Sequence, residues 1–274
     1  MATDVLEVAL PSRLRRTIDG STDLIFKILR IGLFYVGLIL VWHLVASAGI
    51  WEDYQLPPPA DVWDSLRRSW ENGRLQDAIQ TSMERLVIGF AISFVIGIAI
   101  GAAMGSFKYV DETVGSLVLG CQSLPSVCWL PLALLWFGLS EQAIIFVVLM
   151  GSVGSIAISA RDGVRSIPPL LKRAGRTLGA NPLQMLRYVI LPGMIPSMVQ
   201  GLKLGWSFAW RSLMAAELLY VSGGLGFLLQ FGRELNNISQ VVAVMLVIVA
   251  IGVAVDRVIF GRLDQWVRER WGLT

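Results

Sequence analysis

Charged residues, cysteine and histidine are all scarce in this chain of 274 residues. Only 16% of the residues are charged, whereas 55% are hydrophobic and the mean hydropathy is +0.64. A soluble domain of this length would need far more polar surface, so the composition predicts an integral membrane protein. The two cysteines, Cys121 and Cys128, lie in an apolar run, which favours small packing residues over a disulfide or a metal pair.

Sequence motifs for enzymatic chemistry are missing as well. The chain contains no G-x-x-x-x-G-K-[ST] phosphate loop, no H-E-x-x-H, no C-x-x-C and no G-x-S-x-G. The single histidine, His43, has no acid at helical spacing, which favours a buried or interfacial side chain over a proton relay. No basic stripe is interleaved with aromatics, so nucleic-acid binding is not expected. The sequence therefore predicts no catalytic residue, no metal site and no cofactor in this chain, and it disfavours a membrane-embedded enzyme.

Long apolar runs are what the chain has in place of these motifs, and they predict an all-α, polytopic membrane protein with about six transmembrane helices. The predicted spans are about 28–48, 86–104, 114–138, 143–160, 195–219 and 241–260. This division leaves an N-terminal arm at 1–27, a transmembrane domain at 28–260 and a C-terminal tail at 261–274. In the second span, Gly97 and Gly101 form a small-xxx-small pair that predicts close helix packing.

The distribution of lysine and arginine predicts how these spans are oriented. Sixteen of these residues fall in the segments assigned to the inside and four in those assigned to the outside. Because short loops rich in Lys and Arg resist translocation, both termini and the segment 161–192 are expected in the cytoplasm. The segment 50–80, which carries six acids, is expected on the periplasmic side.

Few residues at membrane depth are candidates for lining a path. Pro125 and Pro131 interrupt the third span, which fits either an ordinary kink or a bent helix that lines a translocation path. Glu217 in the fifth span fits a gate group or, with somewhat more weight, a structural hydrogen bond between helices. Arg211 could offer a positive field to a passing anion or pair with an acid on another helix. Trp210 shares a helix face with Trp206, so packing is favoured over a substrate platform.

A basic segment from Arg165 to Pro192 separates the fourth and fifth spans. It contains five Lys or Arg residues and no acid. Asn181-Pro182 is an N-cap followed by proline at the first helical position, which predicts a new helix there, and residues 168–178 can form another. A helix–turn–helix of this kind predicts a docking surface for a cytoplasmic partner rather than a simple connector.

The same segment resembles the EAA signature of ABC-importer permeases. Arg173-Ala174-Gly175-Arg176-Thr177-Leu178-Gly179, followed after nine residues by Val189-Ile190-Leu191-Pro192, carries the resemblance, with the family glycine at Gly179. The departures are Arg173, where the family often has glutamate, and Gly175, where it has alanine. In that family the signature forms short coupling helices that insert into a cleft on the ATPase subunit. The resemblance thus implies ATPase contacts for Arg173, Ala174, Arg176, Thr177, Leu178, Gly179, Ala180, Asn181, Pro182, Leu191 and Pro192.

Four further segments, in order along the chain, resemble the nitrate/sulfonate/taurine permease branch and its bicarbonate relatives. They lie at 56–63, 82–90, 125–138 and 215–226. The resemblance implies a type I ABC-importer permease fold in a bacterial inner membrane. It also implies a periplasmic substrate-binding protein, a second copy of the chain, and two cytoplasmic ATPase subunits that bind ATP and Mg²⁺. The expected cargo is a small anion: an aliphatic sulfonate, taurine, nitrate or bicarbonate. A stand-alone carrier or channel is the alternative, and it would transport with no ATPase present.

Overall fold

The computed structural model describes residues 12–49, 51–52, 55–219 and 223–272, and every regular element in these ranges is helical. The helices are α1 (Ser12–Ser47), α2 (Pro59–Glu71), α3 (Arg74–Ser106), α4 (Lys108–Ser123), α5 (Leu130–Phe137), α6 (Glu141–Ser166), α7 (Pro169–Thr177), α8 (Pro182–Met185), α9 (Leu191–Leu219), α10 (Leu225–Glu234), α11 (Ile238–Ala254) and α12 (Gly261–Trp271). The all-α class predicted from the sequence is confirmed.

In the described part of the chain, four helical stretches are long and apolar enough to cross a membrane. They are Leu29–Ser47, Arg74–Ser106, Glu141–Ser166 and Ile238–Trp271. The pair Lys108–Ser123 and Ser126–Phe137 raises the number to five if the two together form one span. The fifth predicted span, 195–219, falls on α9, which is 29 residues long but is not one of these four stretches and carries three charged residues.

The chain divides into two compact units, Met1–Asp64 and Ser65–Thr274. In the first unit, Trp42 Nε1 donates a hydrogen bond to the carbonyl oxygen of Pro57 at 3.1 Å, which ties α1 to the proline-rich segment that follows it. Residues 1–11 of the predicted N-terminal arm lie outside the described residues. The predicted boundary at 27/28 is not a break, because α1 is continuous from Ser12.

In the second unit α6 is the central helix, since it packs against both α3 and α9. The α3–α6 contact depends on small residues. A Cβ atom added at Gly97 would lie 2.8 Å from Ile156 Cγ2, and one added at Gly101 would lie 2.6 Å from Ala160 Cβ. The predicted close packing at these two glycines is therefore confirmed, and it lets the two backbones approach closely.

The two prolines of the predicted third span have different structural roles. Pro125 lies in the break between α4 and α5, with φ −52° and ψ 134°, and the helical segments on either side are bent by 99°. Pro131 is the second residue of α5, a position where its missing N–H would have no intrahelical partner in any case. The span is thus a broken helix, and only Pro125 marks the break.

The last helical run has no break at the predicted boundary between the sixth span and the tail. Helix α11 continues through a π-helical turn, Val255–Phe260, into α12. The predicted tail from residue 261 therefore begins within a continuous helical run, because the i→i+5 turn keeps the backbone hydrogen-bonded where the composition changes from apolar to charged. Residues 273–274 of the predicted tail lie outside the described residues.

Candidate functional site

The segment between α6 and α9 folds as the sequence predicts, into two short helices. Helix α7 begins at Pro169, and α8 begins after Asn181 with Pro182 at its first position. The Asn181 side chain accepts a hydrogen bond from the backbone N–H of Gln184 at 2.8 Å, and the Gln184 side chain accepts one from the backbone N–H of Asn181 at 2.9 Å. This reciprocal cap satisfies two backbone donors at once and fixes the start of α8.

A tight turn, Leu178–Ala180, joins the two helices. The backbone N–H of Ala180 donates to the carbonyl of Gly175 at 3.0 Å, which closes the end of α7. Gly179 has φ +77°, in the left-handed region that residues with a Cβ adopt only at a cost. The angle between α7 and α8 is therefore set by backbone hydrogen bonds and caps at both ends of the turn, which makes this elbow a rigid element.

The elbow is exposed. Of the eleven residues predicted to contact an ATPase, Ala180 is half-buried and the other ten are exposed. Large apolar side chains are among the exposed residues of the segment: Leu178 is 86% exposed, Leu183 71% and Tyr188 70%. Exposed apolar side chains grouped with charged ones are typical of a protein-binding surface. We call residues 169–190 the coupling segment.

The coupling segment is anchored to the helices on either side. Lys172 Nζ donates to the carbonyl of Val164, in the last turns of α6, at 2.8 Å, and Ile167 is buried. Beside this anchor, Asp111 on α4 makes ion pairs with Arg165 at 2.6 Å and with Arg161 at 3.5 Å. A movement of the coupling segment would therefore reach both α6 and α4.

Glu217 lies in a buried hydrogen-bonded cluster with residues of α3 and α10. Its carboxylate accepts hydrogen bonds from Ser82 Oγ at 2.8 and 2.9 Å, from Arg85 at 3.1 Å and from the backbone N–H of Gly226 at 3.0 Å. Arg85 also forms an ion pair with Glu141, the first residue of α6, at 3.0 Å. With only 1% of its surface exposed, Glu217 has the contacts of a structural cross-link, and a path-lining role is not supported.

The sequence analysis did not identify two residues, Arg85 and Asp256, as members of ion pairs between helices. Arg85 was placed just before the second span, but α3 begins at Arg74, so Arg85 lies well inside the helix. Asp256, near the end of the predicted sixth span, lies 3.2 Å from Lys203 on α9. The sequence signal that could have identified Arg85 is the helical pattern before residue 86, which indicates that α3 begins before the apolar run. Lys203 and Asp256 have no local sequence signal, because 53 positions separate them.

Of the two remaining residues predicted to line a path, Trp210 is buried and Arg211 is exposed. Trp210 is buried in the main apolar core, so it does not reach a surface that could line a path. Arg211 is exposed, with its Nε donating to the carbonyl of Ser207 at 3.0 Å and its guanidinium 4.9 Å from the centre of the Phe208 ring. Within the described ranges Arg211 makes no ion pair.

Known proteins with similar sequences belong to one kind of membrane system. A family model described as "Binding-protein-dependent transport system inner membrane component" matches residues 93–269. The chain is 35% identical to a putative ABC transporter permease protein of Methanocaldococcus jannaschii, over 80% of this chain and 84% of that one. It is 31% identical to the taurine transport system permease protein of Escherichia coli, over 84% and 86% of the two chains. It is also 32% identical to that organism's putative aliphatic sulfonates transport permease protein, over 81% and 84%.

Among solved structures, the fold is similar to a chain of the MetNI methionine ABC transporter in an inward-facing conformation. The TM-score is 0.59, and the match covers 68% of this chain and 92% of that one at 22% sequence identity. At this identity the likeness establishes the fold. It agrees with the helical permease architecture that the sequence motifs imply.

Proposed function

Because the chain belongs to the family of binding-protein-dependent transport system inner membrane components, we propose that it forms, with a second copy of itself, the membrane path of an ATP-driven importer for a small anion. The chain itself is a permease subunit of an ABC transporter. In the proposed importer, two ATPase subunits bind ATP and Mg²⁺ in the cytoplasm, and a periplasmic binding protein delivers the substrate. The translocation path lies on the two-fold axis of the homodimer.

The observation that carries this proposal is the rigid, exposed elbow of the coupling segment. Exposed apolar side chains, Leu178 and Leu183, lie close in sequence to the exposed arginines Arg173 and Arg176. A protein interface is typically built this way, with an apolar centre and a charged rim. Because the caps hold α7 and α8 at a fixed angle, a force applied to the elbow would pass to α6 and α9 without being absorbed by the turn.

Replacing Leu178 by aspartate tests this docking surface. The Leu178→Asp permease should still insert and dimerise, because the side chain packs against little of its own chain, but its affinity for the ATPase should fall at least about tenfold. Co-purification and ATP-driven uptake in proteoliposomes measure the two effects. The matched control is Leu235→Asp, which changes an exposed leucine after α10. Normal ATPase retention by Leu178→Asp would contradict the proposal. Equal uptake by wild type with and without the ATPase would favour a stand-alone carrier or channel.

The proposed orientation places both termini and the coupling segment in the cytoplasm and segment 50–80 in the periplasm. It rests on the excess of Lys and Arg in the segments assigned to the inside. In a background with Cys121 and Cys128 replaced by serine, Asn72→Cys should react with an impermeant thiol reagent added to intact cells. Thr177→Cys, at a position that is also exposed, should react only after the membrane is disrupted. The reverse pattern would invert the topology.

The small-anion cargo is proposed from Arg211 together with the relatives named for taurine and aliphatic sulfonates, both of which carry a sulfonate group. Arg85 and Lys203 have carboxylate partners, whereas Arg211 keeps a guanidinium that is exposed on α9. An unpaired charge facing lipid at membrane depth is costly, so such a group is expected to face water or protein. A guanidinium beside a water-filled path would raise the local concentration of anions.

Arg211→Gln should therefore slow uptake of taurine by about tenfold while the complex assembles normally. Arg211→Lys, which keeps the charge, should recover most of the uptake rate. Uptake initial rates and the basal ATPase rate of the reconstituted importer measure this difference. Unchanged taurine uptake by Arg211→Gln would remove Arg211 from the path, and loss of assembly in both variants would indicate a structural role instead.

A further inference from the structure

The break in the third predicted span leads into a short turn, Ser126–Trp129, that packs against α6 and α9. Leu124 and Pro125 are extended between α4 and this turn, with ψ angles of 124° and 134°. Extended backbone at membrane depth leaves main-chain groups without helical partners, so it is expected only where protein or water surrounds it. The position of the break therefore depends on what holds the turn in place.

A pair of serine hydroxyls ties the turn to α9. The Oγ atoms of Ser126 and Ser212 lie 2.7 Å apart, and Ser212 Oγ lies 2.7 Å from the carbonyl oxygen of Phe208, one helical turn earlier in α9. A hydroxyl carries a single proton, so both contacts are satisfied when Ser126 donates to Ser212 and Ser212 donates to Phe208. Ser212 is completely buried, so water does not compete for this hydrogen bond.

Helix α6 leaves room for the two serines because residue 151 is glycine. A Cβ atom added at Gly151 would overlap Ser212 Oγ and would lie 3.2 Å from Ser126 Cβ. Three segments thus meet at one point: the turn after the break, α6 and the second half of α9. The hydrogen bond between the serines depends on the absence of a side chain at this point.

Helix α9 also connects the serine pair with the coupling segment. The chain is helical without interruption from Pro182, at the start of α8, to Leu219, through the π-helical turn Leu186–Ile190. Ser212 follows Pro182 by 30 positions, which corresponds to about 45 Å along a straight helix. A displacement of the coupling segment would therefore be carried along this run to the serine pair.

We propose that Ser126 and Ser212 are positioning residues for transport, and that their hydrogen bond makes the break of the third span move with α9 when ATP acts on the coupling segment. This inference rests on the proposed function, because it needs an ATPase docked at the elbow. The two serines act on the turn and not on the substrate. Without their hydrogen bond, ATP would still be hydrolysed, but the turn would no longer follow α9.

Cys128 is a natural probe of this movement, because it lies in the same turn and is exposed. In the ATPase-bound permease with Cys121 replaced by serine, its rate of reaction with a membrane-permeant maleimide should differ between the nucleotide-free state and the state trapped with ATP and vanadate. Ser212→Ala should reduce that difference about fivefold, the factor that corresponds to one hydrogen bond of ordinary strength. This readout needs no transported substrate.

Ser93→Ala is the matched control for the loss of a buried hydroxyl. Ser93 is also completely buried, but its hydroxyl donates to the carbonyl of Gly89 in its own helix, α3. The control should keep the full ATP-dependent difference at Cys128. Should Ser212→Ala fail to fold, Ser126→Ala removes the other hydroxyl of the pair at a half-buried position and should give the same fivefold reduction, about one hydrogen bond.

The double variant Ser126→Ala with Ser212→Ala distinguishes a shared hydrogen bond from two separate effects. It should be no worse than either single variant, since both substitutions remove the same interaction. Additive losses would overturn the inference, and so would an unchanged ATP-dependent difference in Ser212→Ala. A wild-type permease that retains its ATPase but shows no change at Cys128 would overturn it as well. Failure of the wild-type permease to bind any ATPase would instead count against the proposed function.

Discussion

Replacing Gly101 by leucine should abolish the production of folded permease, while Gly120→Leu should leave it near the wild-type level. A Cβ atom at Gly101 would overlap the carbonyl oxygen of Ala157 and lie 2.6 Å from Ala160 Cβ, both on α6. A backbone carbonyl cannot rotate out of the way, so α3 and α6 would have to separate. At Gly120, on α4, the corresponding Cβ atom would meet nothing within 4 Å.

The expected loss is larger than for an ordinary overpacking substitution, which costs about 1–3 kcal/mol. The contact is one of a series, because Gly97 meets Ile156 and Gly105 meets Val164 along the same pair of helices. Separating the helices at Gly101 would open the contacts on both sides. Yield of monodisperse protein by size-exclusion chromatography measures the effect. Equal yields from the two leucine variants would show that α3 and α6 can slide apart at little cost.

The helices that cross the membrane were predictable from the sequence because their signal is local. The apolar runs at 86–104 and 143–160 correspond to α3 and α6. Both helices extend beyond those runs, since α3 begins at Arg74 and α6 ends at Ser166. Hydropathy reports where a helix is apolar, but the polar ends of a helix are fixed by turns and by packing, and these leave little trace in a hydropathy profile.

The coupling segment was predictable for the same reason. A capping box needs only Asn181 and Gln184, three positions apart, and a left-handed turn needs only Gly179. The partners of Glu217 could not be derived in this way, because Arg85 is 132 residues away in the sequence. A lone carboxylate in an apolar run predicts that a partner exists, but only the packing of α3 against α9 identifies it.

Replacing Glu217 by leucine should be the most damaging single change at the cross-link. The substitution removes the acceptor for Ser82 and for the backbone N–H of Gly226, and it takes from Arg85 its buried carboxylate partner. Removing one partner of a buried ion pair costs about 3–5 kcal/mol, because the other charge remains buried. The Glu217→Leu permease should therefore unfold at a markedly lower temperature in detergent and assemble poorly.

Two matched variants separate charge from hydrogen bonding at this site. Glu217→Gln keeps an acceptor for Ser82 and Gly226, so it should lose less stability than Glu217→Leu and retain most of its transport. Glu141→Gln removes the partner of Arg85 whose side chain is 67% exposed, and should cost little, since exposed ion pairs contribute about 0–1 kcal/mol.

The double variant Arg85→Met with Glu217→Leu decides whether the buried charge is the cause of the damage. If an unpaired Arg85 is what destabilises Glu217→Leu, removing that charge as well should recover part of the lost stability, because an apolar pair can replace a buried ion pair. The thermal unfolding temperature of the purified protein measures the recovery. A double variant less stable than Glu217→Leu alone would mean that Arg85 still stabilises the fold through Glu141 and the carbonyl of Gly223, which it contacts at 3.0 and 3.1 Å. In that case Arg85, and not Glu217, would be the residue that holds α3, α6 and α9 together.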